Sequence, residues 1–279
     1  MATKNCQLSS SDLSCMTEPS GVAVPPGFCS KYFATSSQVK SVRSIIKTGK
    51  DILALDRGRS PPAVISLHDD DNNGVAESLS IIAEMTGLNH GLVVHNGFVY
   101  ASSDTTVWRW PYTANQRIKS TTSEVVIKNI NANGQGGAPS GHTTRTLIFD
   151  KNDYLYVSVG SVGNVDVDDF RSRIRRFLIS PSTSITNGGF EFELGEIFAT
   201  GLRNEVGLAF DKNGVLFGVE NGADNLNRAD LGGDIHNDNP GEELNRFPID
   251  NLGKHYGYPF CWTVSKILFL CLFIIYYIV

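Results

Sequence analysis

Apolar residues in this chain come in short runs that return in pairs. Residues 43–58 read RSIIKTGKDILALDRG, residues 91–103 GLVVHNGFVYASS, residues 146–161 TLIFDKNDYLYVSVGS and residues 207–222 GLAFDKNGVLFGVENG. Each is an apolar strand, a tight polar turn, a second apolar strand and a small-residue exit. The turns are Thr48-Gly49-Lys50, Asn96-Gly97, Lys151-Asn152-Asp153 and Lys212-Asn213-Gly214. Asn, Asp and Gly accept the positive φ that a hairpin turn demands. A third apolar element follows each pair: PAVISL (62–67), TVWRWPY (106–112), SRIRRFLI (172–179) and EELNRFPI (242–249). Equivalent positions recur roughly every 45–60 residues, the spacing of β-propeller blades. No helical period of any length intervenes, and a β-sandwich has no reason to repeat at this interval. The pattern predicts an all-β fold, a β-propeller with about four blades present, ending where a fifth would start.

Composition changes this picture little. The net charge of −5 argues against nucleic acid as a partner, since phosphate binding needs a basic surface. The one basic run, RSRIRRF at 171–177, reads as the solvated face of a strand rather than an anion site. Cys6, Cys15, Cys29, Cys261 and Cys271 form no CxxC pair. A Cys15–Cys29 disulfide would suit a secreted protein, and unpaired thiols are an equal alternative. Residues 1–27 read as a polar lead-in with no apolar signal-peptide core. Residues 263–279 end in KILFLCLFIIYYIV, shorter than the roughly 17–25 residues of an ordinary membrane span. The propeller domain is expected over 28–262.

Three polar clusters sit just before first strands: GLNHG (87–91), APSGHTTR (138–145) and TGLRNE (200–205). Arg43 holds the matching place in the first unit. Repetition puts these residues around one axis. His142 offers an imidazole that can take a proton near neutral pH. Arg203 offers a planar fork of donors for a carboxylate, and Asn204 adds a neutral donor and acceptor. Asn89 and His90 line the same ring. The set suggests a polyanionic cofactor or substrate beside a general base. Asp69, Asp71, Asn73 and Glu77 alternate like half of a calcium loop, yet its twelfth position is Ser80 where Glu is wanted; an acidic surface turn is the competing reading. The oxygen-rich loop 232–245 could hold a cation or order the channel mouth. No GxSxG, P-loop or HExxH motif occurs.

The stretches GHTTRTLIFDKNDYLYVSVGS (141–161), GLRNEVGLAFDKNGVLFGVENG (201–222), GGDIHNDNPGEELN (232–245) and GKHYGYPFCW (253–262), in this order, resemble the pyrroloquinoline-quinone-dependent sugar dehydrogenases. Within the glucose/sorbosone dehydrogenase family the likeness is closest to fungal pyranose dehydrogenase-type domains. The resemblance implies a six-bladed propeller, of which about four blades are present, with the quinone in the channel. It implies His142 as catalytic base toward a sugar or polyol hydroxyl. It implies Arg203 and Asn204 at the quinone oxygens and Arg43 at a cofactor carboxylate. Main-chain carbonyls of Gly222 and Ala223 would help hold Ca2+, with Ala223 standing where the family has proline. An extracellular protein follows, its electron acceptor unnamed and a cytochrome one candidate; membrane association is the alternative if the apolar tail is genuine. Two other classes stay open: an inactive propeller fragment or binding module, and a calcium-dependent lactonase-like hydrolase, which would want a carboxylate cage on the axis.

After YGYPFCW the family pattern is lost within a few residues. Val264-Ser265 can be encoded as GTAAGT, a splice-donor sequence, so residues 263–279 are expected to be translated intron. Sequencing transcripts across these codons should reveal a spliced message that continues the family pattern; a mature message carrying the codons unspliced would sink the idea.

Overall fold

A computed structural model describes residues 21, 23, 30–130, 141–167, 170–180, 183, 185, 188–236 and 242–263. The Cys15–Cys29 pairing, Cys6, Cys271, most of the lead-in and residues 264–279 lie outside them. Each foreseen hairpin is present and grows into a blade. β1 (Val42–Thr48), β2 (Asp51–Asp56), β3 (Ala63–His68) and β4 (Ser78–Glu84) pair antiparallel in chain order. β5 (Leu92–His95), β6 (Phe98–Ser102), β7 (Val107–Pro111) and β8 (Glu124–Lys128) repeat the arrangement. The third blade uses β9 (Leu147–Phe149), β10 (Tyr154–Val159) and β11 (Arg173–Leu178), then, after the short β12 (Phe190–Glu191), β13 (Glu196–Thr200). The fourth has β14 (Glu205–Phe210), β15 (Leu216–Glu220) and, beyond a ribbon of β16 (Asn227–Arg228) and β17 (Gly233–Asp234), β18 (Glu243–Phe247). A two-residue strand, β19 (Lys254–His255), adds in parallel to β13.

The turn chemistry is as the sequence demands. Asn96 and Gly97 have φ of 46° and 79°, and Asp153 and Gly214 have 66° and 79°. Consecutive positive φ in a two-residue loop matches the right-handed twist of the flanking strands. Blades then stack face to face through shared cores. Leu53, Leu55, Val64 and Ile82 of the first meet Leu92, Val99 and Trp110 of the second. Tyr100, Val107 and Ile127 meet Leu147, Leu155 and Val157 of the third. Tyr156, Ile174 and Phe198 meet Leu216 and Phe247 of the fourth. Burial on both faces explains why these strands read as near-continuous apolar runs. Residues 33–39 cover the first blade's other face, where Phe33, Ala34 and Val39 pack on Ala54, Ile65 and Leu67.

The basic run 171–177 is not the solvated face expected. Arg173 and Arg175 are only 4% and 7% exposed. Arg175 donates to the carbonyls of Glu193 and Gly195 at 3.0 and 2.5 Å. Arg176 pairs with Glu196 at 2.6 Å and lies 4.4 Å over the Tyr154 ring. β11 is sandwiched between neighbouring strands and loops, so its long side chains lie along aromatic surface while distant acceptors satisfy their tips. Nothing in the local alternation reveals those acceptors.

Strands alternate in direction, so the connections after each blade's second and fourth strands gather at one end. Those after the first and third gather at the other, about 20 Å away for strands of six or seven residues. At that second end a buried polar chain braces the first blade. His68 Nδ1 donates to Asp51 at 2.7 Å, Ser80 Oγ lies 2.9 Å from His68 Nε2, and Ser66 Oγ donates to Asp51 at 3.1 Å. The order Ser-His-Asp is that of a hydrolase triad, but His68 is fully buried, so this is a brace between strands. No helix among the described residues is long and apolar enough to cross a membrane.

Replacing His68 by Ala strands the Asp51 carboxylate and should cost about 1–3 kcal/mol or more. The measure is a lowered urea midpoint at unchanged slope. Ile118→Ala, at an exposed site, should stay within about 0.5 kcal/mol.

Candidate functional site

A polar residue near the end of the second strand organises the other end of each blade. Ser102 Oγ accepts from Gly91 N–H at 2.9 Å, in its own blade, and donates to the carbonyl of Arg145, in the next, at 3.0 Å. Ser158 repeats this, accepting from Thr146 N–H at 3.2 Å and donating to the Glu205 carbonyl at 2.9 Å. Asp56 accepts from Ser41 N–H at 2.8 Å, and Glu220 accepts from Arg203 N–H. The two serines thereby tie the entrances of the second, third and fourth blades to one another, while Asp56 and Glu220 each hold the entrance of their own blade.

His142 stands on such an entrance. Two glycines let it approach: a Cβ on Gly141 would lie 2.1 Å from the Val162 carbonyl, and one on Gly160 would lie 2.6 Å from His142 Cβ. Its Nδ1 is 3.0 Å from Ser161 Oγ and 3.1 Å from the Ser161 carbonyl. A carbonyl only accepts and Ser161 Oγ gives its own proton to Gly163, so Nδ1 carries hydrogen and Nε2 keeps its lone pair. Burial, then the nearby Arg203 charge, holds the imidazole below its ordinary 6.5. Its segment is fixed at three successive carbonyls: Arg145 donates to those of His142 and Thr144, both at 2.8 Å, and Asn89 Nδ2 to that of Thr143 at 3.1 Å. Arg145 is fully buried, and burial brings its guanidinium down to about 10.

Arg203 and Asn204 are 4% and 5% exposed. The Asn204 amide oxygen sits over Gly160, where a Cβ would come within 2.8 Å of it. The Arg203 fork is fully engaged: Nε on the Asn164 carbonyl at 3.1 Å, Nη2 on Asn164 Oδ1 at 3.1 Å and Asp224 at 2.8 Å, Nη1 on the carbonyls of Asn221 and Gly222. His90 is buried; its Nε2 lies 3.2 Å from Thr146 Oγ1 and its Nδ1 has no partner among the described residues. Burial, then Arg43, keeps it below its ordinary value. Arg43 is exposed on β1 and shares with His90, Thr146 and Val206 the lining of an axial cavity of about 380 Å³. The structure thus gathers His142, Asn89, Arg203 and Asn204 around the shared residues Thr143, Gly160 and Ser161, and sets Arg43 and His90 on the lining of the axial cavity.

The cation candidates separate. Gly222 and Ala223 line a second cavity of about 140 Å³ with Arg203, Asp224, Tyr258 and Trp262, and the Gly222 carbonyl faces Arg203. Asp69, Asp71 and Asn73 occupy the opposite end of the first blade. There Asp69, Asp71 and Glu77 bring oxygens within 4.8 Å of one another. Asn73 instead serves the turn, accepting from Val75 N–H at 2.8 Å and donating to Asp71 at 2.9 Å.

Sequence reasoning missed Ser161, Asn164 and Asp224, and it missed the pair beneath Arg203. Glu205 and Glu220 face each other across β14 and β15. Asn245 Nδ2 donates to both, at 2.7 and 3.0 Å. Burial pushes Glu205 up to about 8, and burial with the Glu205 charge does the same for Glu220. The repeat held no signal for Glu220: it stands one residue beyond the place of Ser102 and Ser158, which Val219 takes in the fourth unit.

Four antiparallel blades whose polar ends converge on one axis define a partial β-propeller with an axial site. The chain belongs to the family described as TrAA12-like, whose profile matches residues 22–268. It is 35% identical over 254 residues, 84% of this chain and 56% of that protein, to the pyrroloquinoline quinone-dependent sugar dehydrogenase of Hypocrea jecorina (strain QM6a). The calcium structure of the Trichoderma reesei carbohydrate-active enzyme of family AA12 superposes with a TM-score of 0.69 at 32% identity, over 81% of this chain and 57% of that one. The holo pyranose dehydrogenase PQQ domain of Coprinopsis cinerea gives 0.68 at 28% identity, over 81% and 56%. The chain therefore spans a little over half of these relatives.

Glu205 and Glu220 predict an unusual pH dependence. Their folded values lie above the ordinary 4.5, so the stability they confer is complete below about pH 4.5 and lost as pH rises through about 8. Between those limits stability falls as pH rises, because the folded pair keeps protons that the unfolded chain has lost. Melting temperature should drop from pH 5 to 8.5, and Glu205→Gln should flatten the drop; an unchanged slope would contradict the buried acid pair.

Proposed function

We propose that this chain forms part of the propeller of a pyrroloquinoline-quinone-dependent dehydrogenase that oxidises a sugar or polyol hydroxyl. The observation that carries the reading is His142: a neutral imidazole whose Nδ1–H is committed to Ser161, leaving Nε2 to accept a proton beside Arg203 and Asn204. The donor set fits an anionic, planar cofactor. Arg43 is an exposed cation on the axis, and two buried polar atoms there, His90 Nδ1 and Asn89 Oδ1, have no partner among the described residues. Ca2+ at Gly222 and Ala223 fits less well, because the Gly222 carbonyl and the Asp224 carboxylate already accept from the Arg203 guanidinium, beside which a hard cation would have to sit. Asp69, Asp71 and Asn73, at the far end, take no part.

Bound quinone supplies the two-electron acceptor for the hydride that leaves the carbinol carbon. The chain's own part is acid–base and electrostatic. His142 Nε2 takes the hydroxyl proton as the carbonyl forms, and the Ser161 bonds hold the ring in the tautomer that can do so. Arg203, fixed by its own bonds, contributes positive charge without needing to reorganise. Arg43 donates to a cofactor carboxylate. The substrate class, an extracellular setting and an acceptor such as a cytochrome come with the resemblance to the fungal enzymes. A lactonase-like hydrolysis fits less well, because carboxylates near the axis are not free to cage a metal: burial pushes Glu205 and Glu220 up to about 8, and Asp224 is paired with Arg203. A non-catalytic propeller segment is the second reading; it is favoured by the fourth blade's outer face, where Val219 and Leu244 are 48% and 69% exposed.

The test is reconstitution with Ca2+ and quinone, followed by dye reduction with a panel of aldoses and ketoses. His142→Ala should bind quinone within a few-fold of the parent and lose about 10²–10⁴ in turnover. In the parent, kcat/KM should level off by about pH 6.5, because His142 is held below its ordinary value. Quinone binding without turnover would favour the non-catalytic reading, and absence of binding would overturn the proposal.

A further inference from the structure

Asn164 lies in the connection after β10, three residues beyond the Ser161 that holds His142. Five hydrogen bonds converge on it. Its Nδ2 donates to the Asp224 carbonyl at 2.6 Å and its Oδ1 accepts from Asp224 N–H at 2.7 Å. That is a reciprocal pairing of one side-chain amide with one peptide residue, as between adjacent strands. The same Oδ1 accepts from Arg203 Nη2, and the Asn164 carbonyl accepts from Arg203 Nε and Tyr258 Oη, all at 3.1 Å. One residue of the third blade thus grips the guanidinium of Arg203 and the fourth blade's loop just after Gly222 and Ala223. Its own loop is anchored independently. Asp166 accepts from Val162 N–H at 2.8 Å and forms a two-pronged ion pair with Arg171 at 2.7 and 2.9 Å.

We propose that Asn164 is a positioning residue of the axial site, setting the Arg203 charge and the 222–224 carbonyls relative to His142. The chemistry is specific to asparagine. Only a primary amide of this length offers an acceptor and a donor in one plane to the N–H and C=O of a single residue. Aspartate keeps the acceptors but loses the donor, and faces the Asp224 carboxylate beside the Arg203 cation. Alanine loses both. The assignment of this role to a cofactor site rests on the reading proposed above.

Two measurements on the full chain separate the ideas. In hydrogen–deuterium exchange without cofactor, Asn164→Ala should speed exchange across residues 221–226 at least tenfold and leave β2, β3 and β10 unchanged. In quinone titration with Ca2+, followed by tryptophan fluorescence, it should weaken affinity tenfold or more. KM for sugar should stay within about twofold, a split that general loosening of the fold would not give. Asn164→Asp, nearly the same shape, should fall between parent and Ala in both assays and serves if Ala fails to fold. Parent-like exchange at 221–226 in both variants would overturn the clasp, and parent-like quinone affinity would overturn its role at the site. If the parent itself binds no quinone, the functional reading fails while the exchange experiment still decides the clasp.

Discussion

The arrangement depends on a small buried polar group near the end of the second strand in the second and third blades. Ser102 and Ser158 each accept from their own first strand and donate to the entrance of the next blade. Such a bond contributes only about 0.5–1.5 kcal/mol net, but a buried partner left unmade costs about 1–3 kcal/mol. It therefore selects one rotation of blade against blade, while the apolar cores supply the stability. Gly91 completes the contact, since a Cβ there would lie 2.4 Å from both Ser102 Oγ and the Arg145 carbonyl. Once the entrances are pinned, His142 and Arg203 lie on neighbouring, fixed pieces of backbone.

Charge at this end follows from the same crowding. Arg145 and Arg203 are buried largely on carbonyl oxygens, with the Asp104 charge acting on Arg145 and the Asp224 carboxylate paired with Arg203. Neutral carbonyls leave much of the positive charge uncancelled. Burial, and then that field, holds His142, and burial holds Glu205 and Glu220, toward their uncharged forms, so the site combines fixed cations with neutral acid–base groups. The acidic loop at 69–77 belongs to the opposite end and does not offset this field.

The blades were legible because their information is local. Turn residues such as Asn96-Gly97 must adopt positive φ, and runs buried on both faces must be apolar. His142, Arg203 and Asn204 were legible because repetition places equivalent residues on one axis. Asn164 was not, because its partners stand 39, 60 and 94 residues away and a lone Asn in a Gly-rich loop reads as turn chemistry. Arg175 was misread for the same reason: its acceptors come from a loop 18 and 20 residues on. Asn73 illustrates the converse. Its spacing suggested a ligand, whereas local bonds to Val75 and Asp71 occupy its amide.

Arg43 and Arg203 matched in the sequence, and the structure makes them different instruments. Arg43 is exposed and makes no hydrogen bond among the described residues, so it can give its fork to an anion at the cost of its hydration alone. Arg203 has every donor engaged and is buried. An anion that took its donors directly would have to displace Asp224 or the carbonyls of Asn164 and Gly222. Losing the Asp224 carboxylate would leave a buried guanidinium to be satisfied wholly by the ligand, a large cost unless the ligand is itself a carboxylate. Arg203 therefore acts best through its field, with geometry maintained by its partners, whereas Arg43 acts through contact. Removing Arg43 and loosening Arg203 should accordingly fail in different ways: the first in affinity alone, the second also in the orientation of whatever lies between it and His142.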